Sequence, residues 1–118
     1  MSKARQKSPT TPATRALDQL GVSYAVHSFV HDPRVLDYGE EAVSALGAPA
    51  QRVFKTLVVQ IDGREAVAIL PVPRKMQLRK VALALGAKQA ELASSALAER
   101  RTGYVLGGIS PFGQRSRL

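Results

Sequence analysis

Lys55 is the most chemically conspicuous residue of the chain, a single cation inside the apolar run Val53-Phe54-Lys55-Thr56-Leu57-Val58-Val59. Two-residue periodicity puts Val53, Lys55 and Leu57 on one face of a strand, with Phe54, Thr56 and Val58 on the other. A lysine there is either an exposed edge charge or a cation lining a pocket. In a pocket it would bind an anionic or carbonyl group. Full burial without a partner costs too much to be a third option. A second region with chemical potential runs Thr102-Gly-Tyr-Val-Leu-Gly-Gly-Ile-Ser-Pro-Phe-Gly-Gln114. The Gly107-Gly108 pair lets the backbone take positive φ, or lets a ligand approach the main chain with no Cβ between. Their amides could then face a ligand, as in anion-binding nests, with Ser110-Pro111 as a stiff turn behind them. A plain glycine-rich turn made for packing fits the same letters.

Other clusters carry less. His27, Phe29, His31 and Asp32 fall close together in His-Ser-Phe-Val-His-Asp-Pro. The i, i+4 spacing within a strand sets the two imidazoles too far apart for one ion, so a strand end followed by an Asx-type turn is the reading, and no metal site is expected. Glu40 and Glu41 are explained by the N-terminal dipole of a helix. Ser110 has no placed base, so no Ser-His-Asp arrangement can be argued. With no cysteine in the chain, disulfides, thiolate nucleophiles and Cys-based metal sites are excluded.

These residues must be held by elements legible along the chain. A basic tail over 1–11 has too little apolar surface to order itself. One domain follows over 12–118. Thr11-Pro12 opens a helix that stops at Gly21, and Ser23 to Phe29 alternates as a strand. Asp37-Tyr38-Gly39 starts a second helix, with Ala42, Val43 and Leu46 inward and Gly47 past its end. Val53 to Ile61 is the strongest strand. Asp62-Gly63 is a hairpin turn, and Glu65 to Val72 is the returning strand. A third helix covers Leu78 to Leu85, a short strand covers Ala90 to Leu92, and Ser94 or Ser95 caps a fourth helix ending near Arg101. Tyr104-Val105-Leu106 reads as a last, buried strand among the glycines. Interleaved helices and strands give an α+β class, or α/β with a mixed sheet.

The balance of 17 Lys and Arg against 9 Asp and Glu leaves a net charge of +8. Such a chain favours polyanionic partners, RNA or DNA first. Aromatics are too scarce to supply a stacking platform for single strands. No apolar run is long enough to span a membrane, and the basic N-terminus has no secretory core, so a cytoplasmic protein is expected.

The segments His27–Pro33, Tyr38–Gly47, Val53–Val59, Lys80–Lys88 and Arg101–Gln114, in this order and spacing, resemble the YbaK/EbsC family. These are bacterial Cys-tRNA(Pro) deacylases related to the editing insertion domain of prolyl-tRNA synthetases. The resemblance implies a barrel-like, mostly antiparallel mixed sheet wrapped by helices. It also implies hydrolysis in trans of the ester of mischarged Cys-tRNA(Pro), without cofactor or metal. By the resemblance Lys55 is the essential lysine, holding the tRNA 3′ end or the aminoacyl group, and Thr56 is its pocket neighbour. Phe29 and Tyr38 are aromatic walls, and Gly107, Gly108 and Ser110 form the loop against the ester carbonyl. The substrate's own thiol would attack its ester, which accounts for a chain without a protein nucleophile. Aminoacyl-tRNA, and after it prolyl-tRNA synthetase, are the partners implied. Phe29 stands where relatives often carry Tyr. Family members also continue with a further strand pair and a closing helix, a segment expected to be missing after Leu118. The alternatives are a deacylase for another small amino acid such as alanine, or a tRNA- or synthetase-binding module without catalysis.

Overall fold

The computed structural model describes residues 10–118. The expected tail therefore falls, except at its last two positions, outside the described residues. The first helix, α1 (Pro12–Leu20), begins where its caps dictate. Thr11 and Thr14 close a capping box, Pro12 supplies a preset φ at the first turn, and Gly21 ends the helix at φ 71°. The second, α2 (Tyr38–Leu46), starts at Asp37, whose Oδ1 accepts the Glu40 amide at 3.0 Å, and it ends at Gly47. A single 3₁₀ turn, Ala50–Arg52, then feeds the sheet.

The strands β1 (Phe54–Ile61) and β2 (Arg64–Pro71) form a hairpin in which Phe54 faces Pro71 and Ile61 faces Arg64. Asp62 and Gly63, both at positive φ, make the two-residue turn. The Asp62 carboxylate also accepts the Lys88 amide at 2.9 Å, fastening the turn to the chain that enters β3. Helix α3 (Leu78–Ala84) and strand β3 (Ala90–Leu92) follow. Next comes α4 (Ser95–Thr102), which Ser94 caps through its Oγ at 3.1 Å from the Leu97 amide.

The sheet order is β2-β1-β3, with both pairings antiparallel. The core sits at one end of it. Val59 and Ile61, completely buried, pack with Ala66 against Met76, Leu78 and Val81 around α3 and against Ala87 and Ala90. Burying each of the two large side chains is worth about 1.5–3 kcal/mol.

Three expectations need correction. The sheet of the described residues is open, not barrel-like, because only three strands pair. Ser23 to Phe29 forms no strand and pairs with no segment among the described residues. Its residues are largely exposed, and Tyr24 turns its hydroxyl back to donate to Asp18 Oδ1 at 2.8 Å. Alternation satisfies side chains, but a strand also needs a neighbour for its main chain. Tyr104 to Leu106 is not a buried strand either. After Gly103, the Tyr104 amide bonds Thr102 Oγ1, and the Gly108 amide closes a turn on the Val105 carbonyl at 2.9 Å. Val105 is left 74% exposed.

Candidate functional site

The register of β1 decides where an open surface can form. Its odd-numbered residues exchange main-chain bonds with β2, as the Val72 amide donating to the Val53 carbonyl at 2.8 Å shows at one end. The even-numbered residues turn their N–H and C=O groups the other way, toward β3. Gln60 meets Glu91 there, and the Val58 carbonyl accepts the Ala93 amide at 3.0 Å. Beyond Ala93 the chain leaves to start α4. The main-chain groups of Thr56 and Phe54 consequently face a free edge, with no partner among the described residues.

A cleft of about 720 Å³ lies along that edge. Val53 to Val58 line it from the sheet. Leu36, Asp37, Tyr38 and Gly39 line it from the start of α2, and Leu106, Gly107 and Ile109 from the C-terminal run. Leu92, Ala93 and Ser95 close the side where β3 gives way to α4. Lys55 is half-buried in this lining, and its Nζ donates to the Val72 carbonyl at 3.1 Å. None of the ion pairs among the described residues involves it. An ammonium has three donors, so two remain for a ligand. Of the two placements open at the sequence level, the structure has the pocket cation. Thr56 points to the opposite face of β1 yet lines the same cleft, because the cleft wraps the unpaired edge between the two faces.

Tyr38, the first residue of α2, forms one wall. Against it Gly107 sits at φ 90°, a left-handed conformation that side chains rarely adopt. A Cβ on Gly107 would lie 2.7–2.9 Å from the Tyr38 ring. The glycine is therefore required twice, by its backbone and by its neighbour.

The remaining expected residues lie elsewhere. Gly108 is outside the cleft lining, and its amide is already taken by the Val105 carbonyl, so the pair does not present two amides to a ligand. Ser110 accepts the Phe112 amide on Oγ at 3.1 Å and shapes the loop from behind Ile109. Phe29 is 42% exposed and does not line the cleft.

The His-Asp-Pro stretch holds an Asx turn as expected, with Asp32 Oδ1 accepting the Arg34 amide at 3.0 Å. The Arg34 guanidinium on the same carboxylate holds the Asp32 carboxyl below its ordinary range, with the backbone bond adding to this. Among the described residues no group of three potential metal ligands comes together. Glu41 has a more specific place than a dipole partner. Its Oε2 accepts the Asp32 amide at 2.7 Å, and its Oε1 lies 2.6 Å from His31 Nδ1. Those two bonds, the backbone one first, lower the Glu41 pKa. No periodicity signals this tie. Asp37 was legible as a helix cap, but its place on the cleft wall was not. Nor were those of Leu36, Ala93 and Ile109, which the path of the chain brings there.

Similarity to known proteins follows the same residues. The family model of the aminoacyl-tRNA editing domain matches residues 32–118. The chain is 34% identical over 117 residues to the inferred Cys-tRNA(Pro)/Cys-tRNA(Cys) deacylase EbsC of Enterococcus faecalis, covering 98% of this chain and 69% of that protein. It is 32% identical over 79 residues to the proline–tRNA ligase of Geobacter metallireducens, covering 67% of this chain but 14% of the ligase. Among solved structures, a hypothetical protein superposes with a TM-score of 0.73 at 19% identity, over 88% of this chain and 67% of the other. An inferred trans-editing enzyme for prolyl-tRNA synthetase superposes with a TM-score of 0.71 at 24% identity, over 94% of this chain and 71% of the other. With its cleft, its lysine-bearing strand and its glycine loop all inside the matched residues, the chain belongs to the aminoacyl-tRNA editing domain family.

Proposed function

We propose that the chain is an aminoacyl-tRNA deacylase that hydrolyses the ester of mischarged tRNA in trans, with cysteine on tRNA(Pro) as its substrate. The observation that carries this reading is Lys55, a cation without a carboxylate partner among the described residues, set in a cleft beside a free strand edge. An aminoacyl ester attached to the terminal ribose fits such a place in kind. The cleft has apolar walls for a small side chain, a cation for a phosphate or ester oxygen, and open main-chain groups for polar atoms. Positive charge held near the ester oxygen lowers the barrier to attack at the carbonyl. A cysteine substrate brings its own nucleophile, and the chain itself has no cysteine. Gly107 gives the ester close access to the main chain, Tyr38 and Thr56 line the amino-acid side, and Gly108 and Ser110 hold the loop that carries Gly107. Phe29 is the least supported of the proposed contacts, since it stands outside the cleft lining.

The net charge of +8 supplies long-range attraction for tRNA. A working association with prolyl-tRNA synthetase belongs to the same reading, which the resemblance to the ligase supports. No helix among the described residues is long and apolar enough to cross a membrane, and a cytoplasmic location accords with tRNA editing.

The test is release of cysteine from Cys-tRNA(Pro) by the purified chain, beside Ala-tRNA(Pro), with Lys55→Ala as control. Release that depends on Lys55 and favours cysteine is expected. Equal rates on both tRNAs would overturn the cysteine assignment, and a Lys55→Ala variant at full rate would overturn the site. Salt-sensitive tRNA binding without any hydrolysis would instead mark a binding module.

A further inference from the structure

Tyr38 meets two residues, and the second does not line the cleft. One is Gly107, too close for any side chain. The other is the His31 ring, with centroids 4.8 Å apart and planes tilted by 33°. His31 comes from a stretch without regular secondary structure, where an imidazole would normally sample several rotamers. Glu41 removes that freedom. Its Oε1 lies 2.6 Å from His31 Nδ1, while its Oε2 takes the Asp32 amide at 2.7 Å. A carboxylate only accepts, so Nδ1 carries the proton in this bond. The Glu41 side chain is 12% exposed and that of His31 41%, so the bond is partly sheltered from competing water. Glu41 lies three residues after Tyr38 on α2, one turn along the same side of the helix.

The geometry points to His31 and Glu41 as positioning residues for the cleft. Glu41 orients the imidazole, the imidazole packs against the Tyr38 ring and fixes its place beside Gly107, and the ring sets the width of the amino-acid pocket. This rests on the reading of the cleft as the aminoacyl site. Neither residue lines the cleft, so neither is catalytic. Loosening Tyr38 weakens binding of a small aminoacyl group and relaxes the exclusion of larger ones. The charge that Lys55 supplies to the reaction is unaffected.

A tether that merely pins the loop would give a different pattern, and His31→Ala separates the two. It frees Tyr38 while the bond from the Asp32 amide to Glu41 persists, whereas Glu41→Ala frees both. In His31→Ala the KM for Cys-tRNA(Pro) is expected to rise several-fold with kcat within about twofold and an unchanged cooperative melt. His31→Phe, which restores a ring face, recovers most of the loss. The second readout needs no turnover. The ring signals of Tyr38, assigned in the NMR spectrum by their loss in Tyr38→Phe, should shift in His31→Ala and largely return in His31→Phe. Tyr38 signals identical in wild type and His31→Ala would overturn the inference. So would moved signals with KM unchanged, or a loss confined to kcat. If the wild-type chain hydrolyses nothing, the deacylase reading fails, and the Tyr38 signals still decide whether this pair positions the ring.

Discussion

One strand builds two opposite environments. At its far end, Val59 and Ile61 are paired on both edges and packed around α3, and both are completely buried. At its near end, Phe54 to Leu57 have β2 on one edge and no paired strand among the described residues on the other, Phe54 is 60% exposed, and a lysine is tolerated. The two ends share sequence character, since both alternate apolar residues on a strand of strong propensity. What separates them is the length of β3, which covers three residues and stops. A site can exist on this strand because the sheet is left unfinished there, while the finished half supplies the rigidity that holds it.

Variants at the two ends should therefore fail in different ways. Ile61→Ala removes a buried side chain from the closed half. It should cost about 2–5 kcal/mol of stability, read as a lowered melting midpoint, with any surviving folded fraction still binding tRNA. Lys55→Ala at the open half should leave the melt nearly unchanged and reduce turnover by about a hundredfold, which corresponds to roughly 2.7 kcal/mol of barrier. A variant that lost stability and activity together at Lys55 would erase the distinction. Gly107→Ala tests the loop that faces the open edge. Positive φ and a contact under 3 Å with the Tyr38 ring should together cost about 1–3 kcal/mol and raise KM, read by melting and steady-state kinetics.

The smallest effect concerns the start of α2. The Glu41 carboxyl is held below its ordinary value of 4.5 by the Asp32 amide and then by His31. A lowered folded-state pKa contributes stability that is present above 4.5 and lost as pH falls through the lowered value. Glu41→Gln should flatten that acid limb in a melting series between neutral and acid pH. An unchanged limb would detach Glu41 from it.

The elements were legible wherever a local signal marks them. Thr11, Asp37 and Ser94 cap helices, Gly21, Gly47 and Gly103 end them, and Asp62-Gly63 turns the hairpin, each with its consequence within a few residues. Both strands read without a partner proved wrong for one reason. Ser23 to Phe29 and Tyr104 to Leu106 have suitable side chains, but pairing depends on what lies beside the main chain, and nothing among the described residues pairs with them. For the candidate site, Lys55 stood out because a charge in an apolar strand demands an explanation. The Glu41 tie to His31 and Asp32 did not, since a glutamate in a first helical turn is already explained.

By itself the sequence determined the helices, the β1–β2 hairpin, the one anomalous lysine and the family. These follow from capping, turn chemistry, periodicity and motif order, all local or nearly local along the chain. The short strand over Ala90 to Leu92 was legible too, but only the tertiary structure decided that it pairs with the far end of β1 and leaves Thr56 at a free edge. It alone decided that Gly107 rather than Gly108 meets the cleft, and that Tyr38 meets both Gly107 and His31. Each of these outcomes depends on which distant segment occupies the space beside a residue. That is set by packing among segments far apart in the chain, and no local pattern encodes it.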